Sequence, residues 1–411
     1  MKSQRAVGHG PPHPSAIDDS LDVSLRSVAR VRSLRRLQAQ SGQAFWSTDL
    51  NAWVVAKYGP AIAVLRNPST FTSARRFETL LAKAKYDPAV ARLLSHYGAG
   101  LVQADPPDHT RWRSAANHYY PQAYMREVEP TVNEICARFC EDLLTKDQAD
   151  WNAELADKLA GAVISLVVGI DVTDCARLVK WIGWIAQLVS EPLPSDSTVR
   201  EAAKAVTEME AYFGARSKTD LRLLHADLST SVITLAPREL VVLHMGVFAA
   251  GYTAIRHFLS IVIFLAVRGL VSDAVVFEDA ARRRFIDEAL RYFSPVQVAW
   301  RRVAADTRML GPLMHQGDLV YVSLASANHD PDVFADPDRF CPERVHNPQI
   351  AFGRGPHTCL GAALARIEAG AIIASLGRRL DLSAHRVASI EWLNTFHYVG
   401  LARLNMERVT R

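Results

Sequence analysis

Phe352-Gly353-Arg354-Gly355-Pro356-His357-Thr358-Cys359-Leu360-Gly361 is the stretch whose reading decides the fold. Leu360 then opens a helical pattern through Ala362, Ala363, Leu364, Ala365, Ile367, Ala371 and Ile372. A buried structural cysteine in a turn needs none of these neighbours. A cysteine that ligates the iron of a haem uses all of them. Glycines let the backbone run close beneath a flat macrocycle. Phe352 packs against the ring or shields the sulfur. The N–H groups of the helix start point back at Cys359 and are expected to lower its pKa. A thiolate ligand pushes electron density onto iron and favours O–O cleavage.

The complete pattern F-G-x-G-x-H-x-C-x-G resembles the cysteine loop of the cytochrome P450 family, the haem-thiolate monooxygenases. The resemblance spans about residues 44 to 404. It implies a mainly α fold with a minor β region, in one large catalytic domain over residues 21–411. It also implies haem b (iron protoporphyrin IX) on Cys359, with Phe352, Gly353 and Gly361 against it.

Bulk properties agree with a large core. The chain has 411 residues, 49% of them hydrophobic and 22% charged. A net charge of +4 is too small for its size to suggest nucleic acid. Cys136, Cys140, Cys175, Cys341 and Cys359 are an odd, scattered set, read as reduced thiols of a cytoplasmic protein. Cys136 and Cys140 share a helix face without partners at zinc spacing, so they read as core. Residues 1–20 are polar, broken by Gly8, Gly10, Pro11, Pro12 and Pro14, and read as a disordered lead without a signal peptide. No run reaches the roughly 18 uninterrupted apolar residues of a membrane span. The most apolar stretch, Leu240 to Ala266, is interrupted by His244, Arg256 and His257.

Along the chain, helical spacing covers about residues 22 to 42. Alternation on either side of Asp49-Leu50-Asn51 predicts a hairpin, and a short helix runs from Gly59-Pro60 to Asn67-Pro68. Glu127 to Phe264 reads almost wholly as helix, with loops at 191–194 and around Ala236-Pro237. Arg282 to Phe293 is a helix ended by Ser294-Pro295. Strand character follows at Val296 to Val303 and Leu319 to Val322, and a Pro- and Asp-rich meander at Tyr321 to His346.

Glu288 and Arg291 lie three apart on one helix face, a pattern that alone marks a solvated pair. Followed by Phe340-Cys341-Pro342-Glu343-Arg344, the pair matches the family's buried charge cluster, which implies a bracing role for Glu288, Arg291 and Arg344. His109 and Arg113, four apart in Asp105-Pro106-Pro107-Asp108-His109-Thr110-Arg111-Trp112-Arg113, point the same way. By resemblance they bind haem propionates, with Arg302 and His357 as further partners and Arg301 as the substitute for Arg302 one register away.

The oxygen-binding helix departs from the family pattern A-G-x-[D/E]-T-[T/S]. Ala250 and Gly251 match its start, but Thr253 takes the acid's place and Ala254 the threonine's. Protons for O–O cleavage then come from a substrate hydroxyl or amine with water, or from Thr253 with a local helix distortion. The third option is chemistry that needs fewer protonations. Arg256 and His257 carry little weight as relays. Gly246, Ala249, Ala250 and Ala254 share one helix face, lining a roomy distal pocket or packing closely on another helix. Residues 74–100 and 178–216 correspond to the substrate lid, where Trp181, Trp184 and Phe213 are ligand or core aromatics.

The leading expectation is a monomeric bacterial-type monooxygenase, free of membranes, tailoring a bulky lipophilic or secondary-metabolite substrate. Its electrons come from a ferredoxin and ferredoxin reductase docking near Arg354. The alternative uses the same haem for aryl or phenol coupling, cyclisation or nitration. A haem sensor lacks an output domain here.

Overall fold

The computed structural model describes residues 36, 39, 42–74, 88, 91, 100–190, 195–216, 235–379, 384–393 and 395–409. The expected N-terminal lead, most of the 22–42 helix, the loop at 191–194 and most of the 74–100 lid lie outside them.

Helix dominates the described residues. α1 spans Tyr58–Leu65, α2 Asp108–Tyr119, α3 Gln122–Glu127, α4 Glu129–Leu144, α5 Lys158–Val168, α6 Cys175–Ser190 and α7 Asp196–Arg216. The 31-residue α8, Pro237–Val267, runs through the centre. α9 Asp273–Phe277, α10 Asp279–Phe293, α11 Leu324–Ala327 and α12 Ala362–Arg379 complete the helices. α8 is long and apolar enough to cross a membrane, yet 72% of its most apolar window is buried inside the protein. Its C-terminal half packs Phe258, Leu259, Ile261, Val262 and Ile263 into a core shared with α4, α5, α10 and α12.

The sheets are minor, as expected. β1 (Phe45–Ser47) and β2 (Ala52–Val55) form the predicted hairpin. They join β3 (Phe71–Thr72), β5 (Val298–Val303) and β6 (Leu319–Ser323) in a sheet of order β1-β2-β6-β5-β3. A second sheet has order β4-β8-β7, from Gln148–Asp150, Leu401–Arg408 and His385–Trp392. β4 corrects the reading of residues 127–264 as nearly all helix. Its pairing partner lies some 250 residues away, and Asp150 accepts the N–H groups of Asn152 and Leu404 at 3.0 Å each. Residues Asn152–Asp157 then wind as one π turn before α5.

α10 ends where Ser294 turns into the left-handed region at φ 44. The step puts β5 between two apolar layers. Val298 and Trp300 pack on one side, Ala299 and Val303 on the other. Both faces of β5 are therefore covered, which decides the argument about its arginines below.

Candidate active site

The cysteine loop is held from inside. The Gly353 N–H donates to Ile350 O at 2.8 Å and the Cys359 N–H to Phe352 O at 2.9 Å. The Thr358 hydroxyl donates to Gly355 O at 2.8 Å. Gly353 and Gly355 have φ of 69 and 79, and a Cβ on Gly355 would stand 2.5 Å from Leu65 O. Only glycine fits there. Gly361, by contrast, faces open space, with no atom within 4 Å of an added Cβ. Phe352 is half-buried under the guanidinium of Arg366, whose carbon sits 4.7 Å from the ring centroid. Arg366, seven residues past Cys359 and paired with Asp287 at 2.7 Å, escaped the sequence reading.

Cys359 is accessible at the open side of this loop. Its thiol pKa is nevertheless raised by desolvation, against the opposing pull of the Gly361 N–H, Arg113 and Arg366. The expected lowering by the helix start is thus present but outweighed. A metal cation is what tips such a thiol to thiolate, since coordination deprotonates it outright.

Beside the loop stands a group of donors with few acceptors. His109 and His357 lie ring to ring at 4.2 Å, and the buried Nε2 of each has no hydrogen-bond partner. Desolvation, with Arg301, His109 and Arg113 adding repulsion, pushes His357 down to about 3. Desolvation and Arg113 lower His109, while Asp105 pulls it back up. Desolvation also takes Arg301 to about 10. Arg113 donates to Thr358 O at 2.6 Å, which fastens α2 to the cysteine loop. The nearby carboxylate, Asp105, already accepts from the Thr72 hydroxyl and the Ser73 N–H. Two orphaned imidazole nitrogens and two guanidinium groups fit a pair of propionate carboxylates.

The structure brings together His109, Arg113 and His357 but leaves Arg302 out. Arg301 is 7% exposed and joins the cluster; Arg302 points to the other side of β5 and donates to Gly317 O at 2.7 Å. The period-two alternation of a strand separates the two residues.

Bracing comes from a saturated ion cluster. Glu288 and Arg291 are wholly buried. Arg291 donates to Glu288 at 2.8 and 2.9 Å, to Asn328 O at 2.9 Å, to Pro337 O at 2.7 Å and to Arg339 O at 3.0 Å. Glu288 also accepts from Arg344 Nε at 3.0 Å, the Cys341 N–H at 2.8 Å and Asn347 at 3.2 Å. Asn328 passes the brace on by accepting the Ile350 N–H at 2.8 Å, at the foot of the cysteine loop.

On α8, Ala250 is exposed, and Gly246, Val247 and Ala254 are half-buried. In the middle of a central helix, this stripe is less covered than its neighbours. Ala249 departs from the expected lining: it is 6% exposed and part of the main core. Gly251 lies against Ile164 of α5, where a Cβ would clash. Thr253 is buried beside it. Arg256 is committed to Asp157 through two hydrogen bonds of 2.8 and 3.0 Å. His257 is buried, and desolvation, with repulsion from Arg256, takes its pKa down to about 3. Phe213 is fully buried against Phe248, a core residue, and Trp181 packs on Tyr212.

Comparison with known proteins agrees with this geometry. The family described as Cytochrome P450 matches residues 283–403, which hold Glu288, Arg291, Arg344 and Cys359. Cytochrome P450 109 of Bacillus spizizenii is 27% identical over 352 residues, 81% of this chain and 80% of its own. Biflaviolin synthase CYP158A1 of Streptomyces coelicolor is 28% identical over 380 residues, 89% of each chain. A solved structure of the myxobacterial cytochrome P450 CYP267B1 in complex with myristic acid superposes with a TM-score of 0.81 at 27% identity, covering 94% of this chain and 98% of that one. The protein is a haem-dependent oxidoreductase of the monooxygenase class. Over most of its length the chain is similar to the cytochrome P450 family.

Proposed function

We propose that this chain holds haem b on Cys359, with propionates on His109, Arg113, Arg301 and His357, and oxidises a bulky lipophilic or secondary-metabolite substrate in a bacterial cytoplasm. The observation that carries the reading is the donor cluster beside Cys359, whose buried imidazole nitrogens lack partners. Bound haem supplies dioxygen activation, favoured by a thiolate ligand. The chain's residues do the rest. Cys359 would hold the iron, His109, Arg113, Arg301 and His357 would hold the propionates, and the uncovered stripe of α8 would leave space for a substrate. The five cysteines are thiols outside any disulfide, which suits a reducing compartment.

The side chain of Ala254 holds no proton. A hydroxyl or amine of the substrate, with ordered water, supplies what a threonine would hold elsewhere in the family. The myristic acid bound to the CYP267B1 relative supports a lipophilic ligand. The relative named biflaviolin synthase, together with Ala254, favours one second reading, oxidative coupling on the same haem. Product mass separates the two: hydroxylation adds one oxygen and coupling removes two hydrogens.

Electrons come from a ferredoxin-type partner. A groove of about 610 Å³ between α4, α10 and α12 is lined by Ile286, Ile367 and Ala371 and by four arginines, Arg282, Arg283, Arg366 and Arg378, which outnumber its two acids, Glu129 and Asp279. Arg366 touches Phe352, so an acidic protein seated here stands next to the cysteine loop. Arg354, the docking position expected from sequence, donates to Gln349 O at 2.8 Å. The test of the whole reading is the carbon monoxide difference spectrum of the reduced, haem-loaded protein. A thiolate-type band that Cys359→Ser abolishes is expected; a band unaffected by that substitution overturns the ligand assignment.

A further inference from the structure

The two halves of α8 are held differently. From Ile255 onward nearly every residue is buried. Toward the N-terminus Glu239, Leu240, Val242, Gly246 and Val247 are half-buried and Ala250 is exposed. The apolar contact between this half and α2 is a small cluster, Trp112, Ala115 and Ala116 against Leu235 and Leu243. Two polar ties reinforce it: Tyr120, at the end of α2, bonds His244 Nδ1 through its hydroxyl at 2.7 Å, and a charged pair joins the helices nearer the start of α8. Arg111 donates to both carboxylate oxygens of Glu239, at 2.8 and 2.6 Å. Glu239 also accepts the Ala236 N–H at 2.8 Å, so one carboxylate caps the helix start and anchors it. Its hydrogen bonds from Arg111 hold Glu239 below the usual carboxylate range. Arg111 sits between His109 and Arg113 in sequence, about 200° round the helix from each, so α2 turns one face to the cationic cluster and the other to α8.

We infer that Arg111 and Glu239 are positioning residues that fix the start of α8 relative to the haem-binding helix, and so set the room over Gly246, Ala250 and Ala254. The inference rests on the haem reading above. A fork-to-carboxylate pair suits this task because it fixes orientation as well as distance. The pair is partly exposed, with side-chain accessibilities of 40% and 30%, so added salt weakens it.

The test uses the full haem-loaded chain and 4-phenylimidazole, a rigid probe that enters the space above iron, followed by the Soret shift. Arg111→Gln and Glu239→Gln are each expected to change the probe's dissociation constant by roughly three- to fivefold, the reach of a partly exposed ion pair. The exchange Arg111→Glu with Glu239→Arg restores most of the wild-type value. Wild-type binding changes with salt, and binding by either glutamine variant does not. Probe binding that ignores both single substitutions, an exchange no better than the singles, or salt-independent wild-type binding overturns the inference. A normal carbon monoxide spectrum in the same samples keeps the haem reading standing in every one of those cases.

Discussion

The Glu288 cluster and the His109–His357 cluster are both charged, both inside the protein, and opposite in kind. In the first, one carboxylate meets two guanidinium groups, and the charged groups answer one another, Asn347 Oδ1 alone among the polar atoms described around them lacking a partner. In the second, imidazole and guanidinium groups repel one another, and two buried nitrogens are left without partners. Burying polar groups without partners costs stability. Two such nitrogens among guanidinium groups beside the cysteine loop leave places for the acceptors of a ligand, whereas the charges of the Glu288 cluster already pair with one another. The contrast separates bracing from binding without any appeal to resemblance.

Breaking the saturated side should have the largest effect. Glu288→Ala strands Arg291 at zero exposure together with the Cys341 N–H. The expected loss is about 3–5 kcal/mol. Against a total stability of about 5–15 kcal/mol, most of the folded yield goes with it. The urea midpoint of whatever folds measures this, and a midpoint within error of wild type sinks the bracing role.

The unsatisfied side should fail differently, in ligand retention with the fold intact. Arg301→Leu removes a charge-assisted donor worth about 1.5–3 kcal/mol, roughly ten- to a hundredfold in haem affinity. Arg302→Leu, on the other face of β5, should leave haem affinity unchanged. Haem transfer to apomyoglobin reads both. Equal losses from the two would return the assignment to the register left open by the sequence.

That register was illegible for a physical reason. Alternation reveals which residue faces inward only when one face of a strand is wet. Val298 and Trp300 cover one side of β5 and Ala299 and Val303 the other, so Arg301 and Arg302 look alike from sequence. The cysteine loop, the Glu288–Arg291–Arg344 set and the β1–β2 hairpin were legible because local chemistry fixes each of them. β4 was not, because a three-residue polar strand acquires its identity from β8 alone. Ala249 was misplaced on the open face because small residues line cavities and tight helix contacts alike.

Two of the loop's three glycines divide along the same line. Gly355→Ala meets Leu65 O and a φ of 79, at a cost of about 2 kcal/mol to the fold. Gly361→Ala meets nothing within 4 Å, so thermal unfolding of the haem-free chain should not move. Loss of haem affinity from Gly361→Ala alone would show that the open space is where the macrocycle lies. A lowered melting temperature for Gly361→Ala would instead make it a second packing position.

The finest test sets Cys359 against His357 through pH. Ligation by Cys359 requires a thiolate, and desolvation has raised this thiol, so binding releases a proton and tightens as pH rises. His357 runs the other way. Its pKa of about 3 in the protein alone rises when carboxylates arrive, so binding takes up a fraction of a proton and tightens as pH falls. A single histidine contributes at most about 1.4 kcal/mol per pH unit, and only where the two states differ in protonation. The sulfur therefore sets the sign, and haem release should slow between about pH 6 and pH 8. His357→Gln removes the opposing contribution and should steepen that dependence while weakening haem at every pH. A slope that stays the same in His357→Gln would mean that His357 does not change protonation when haem binds, and that its free nitrogen meets the propionates as a neutral donor only.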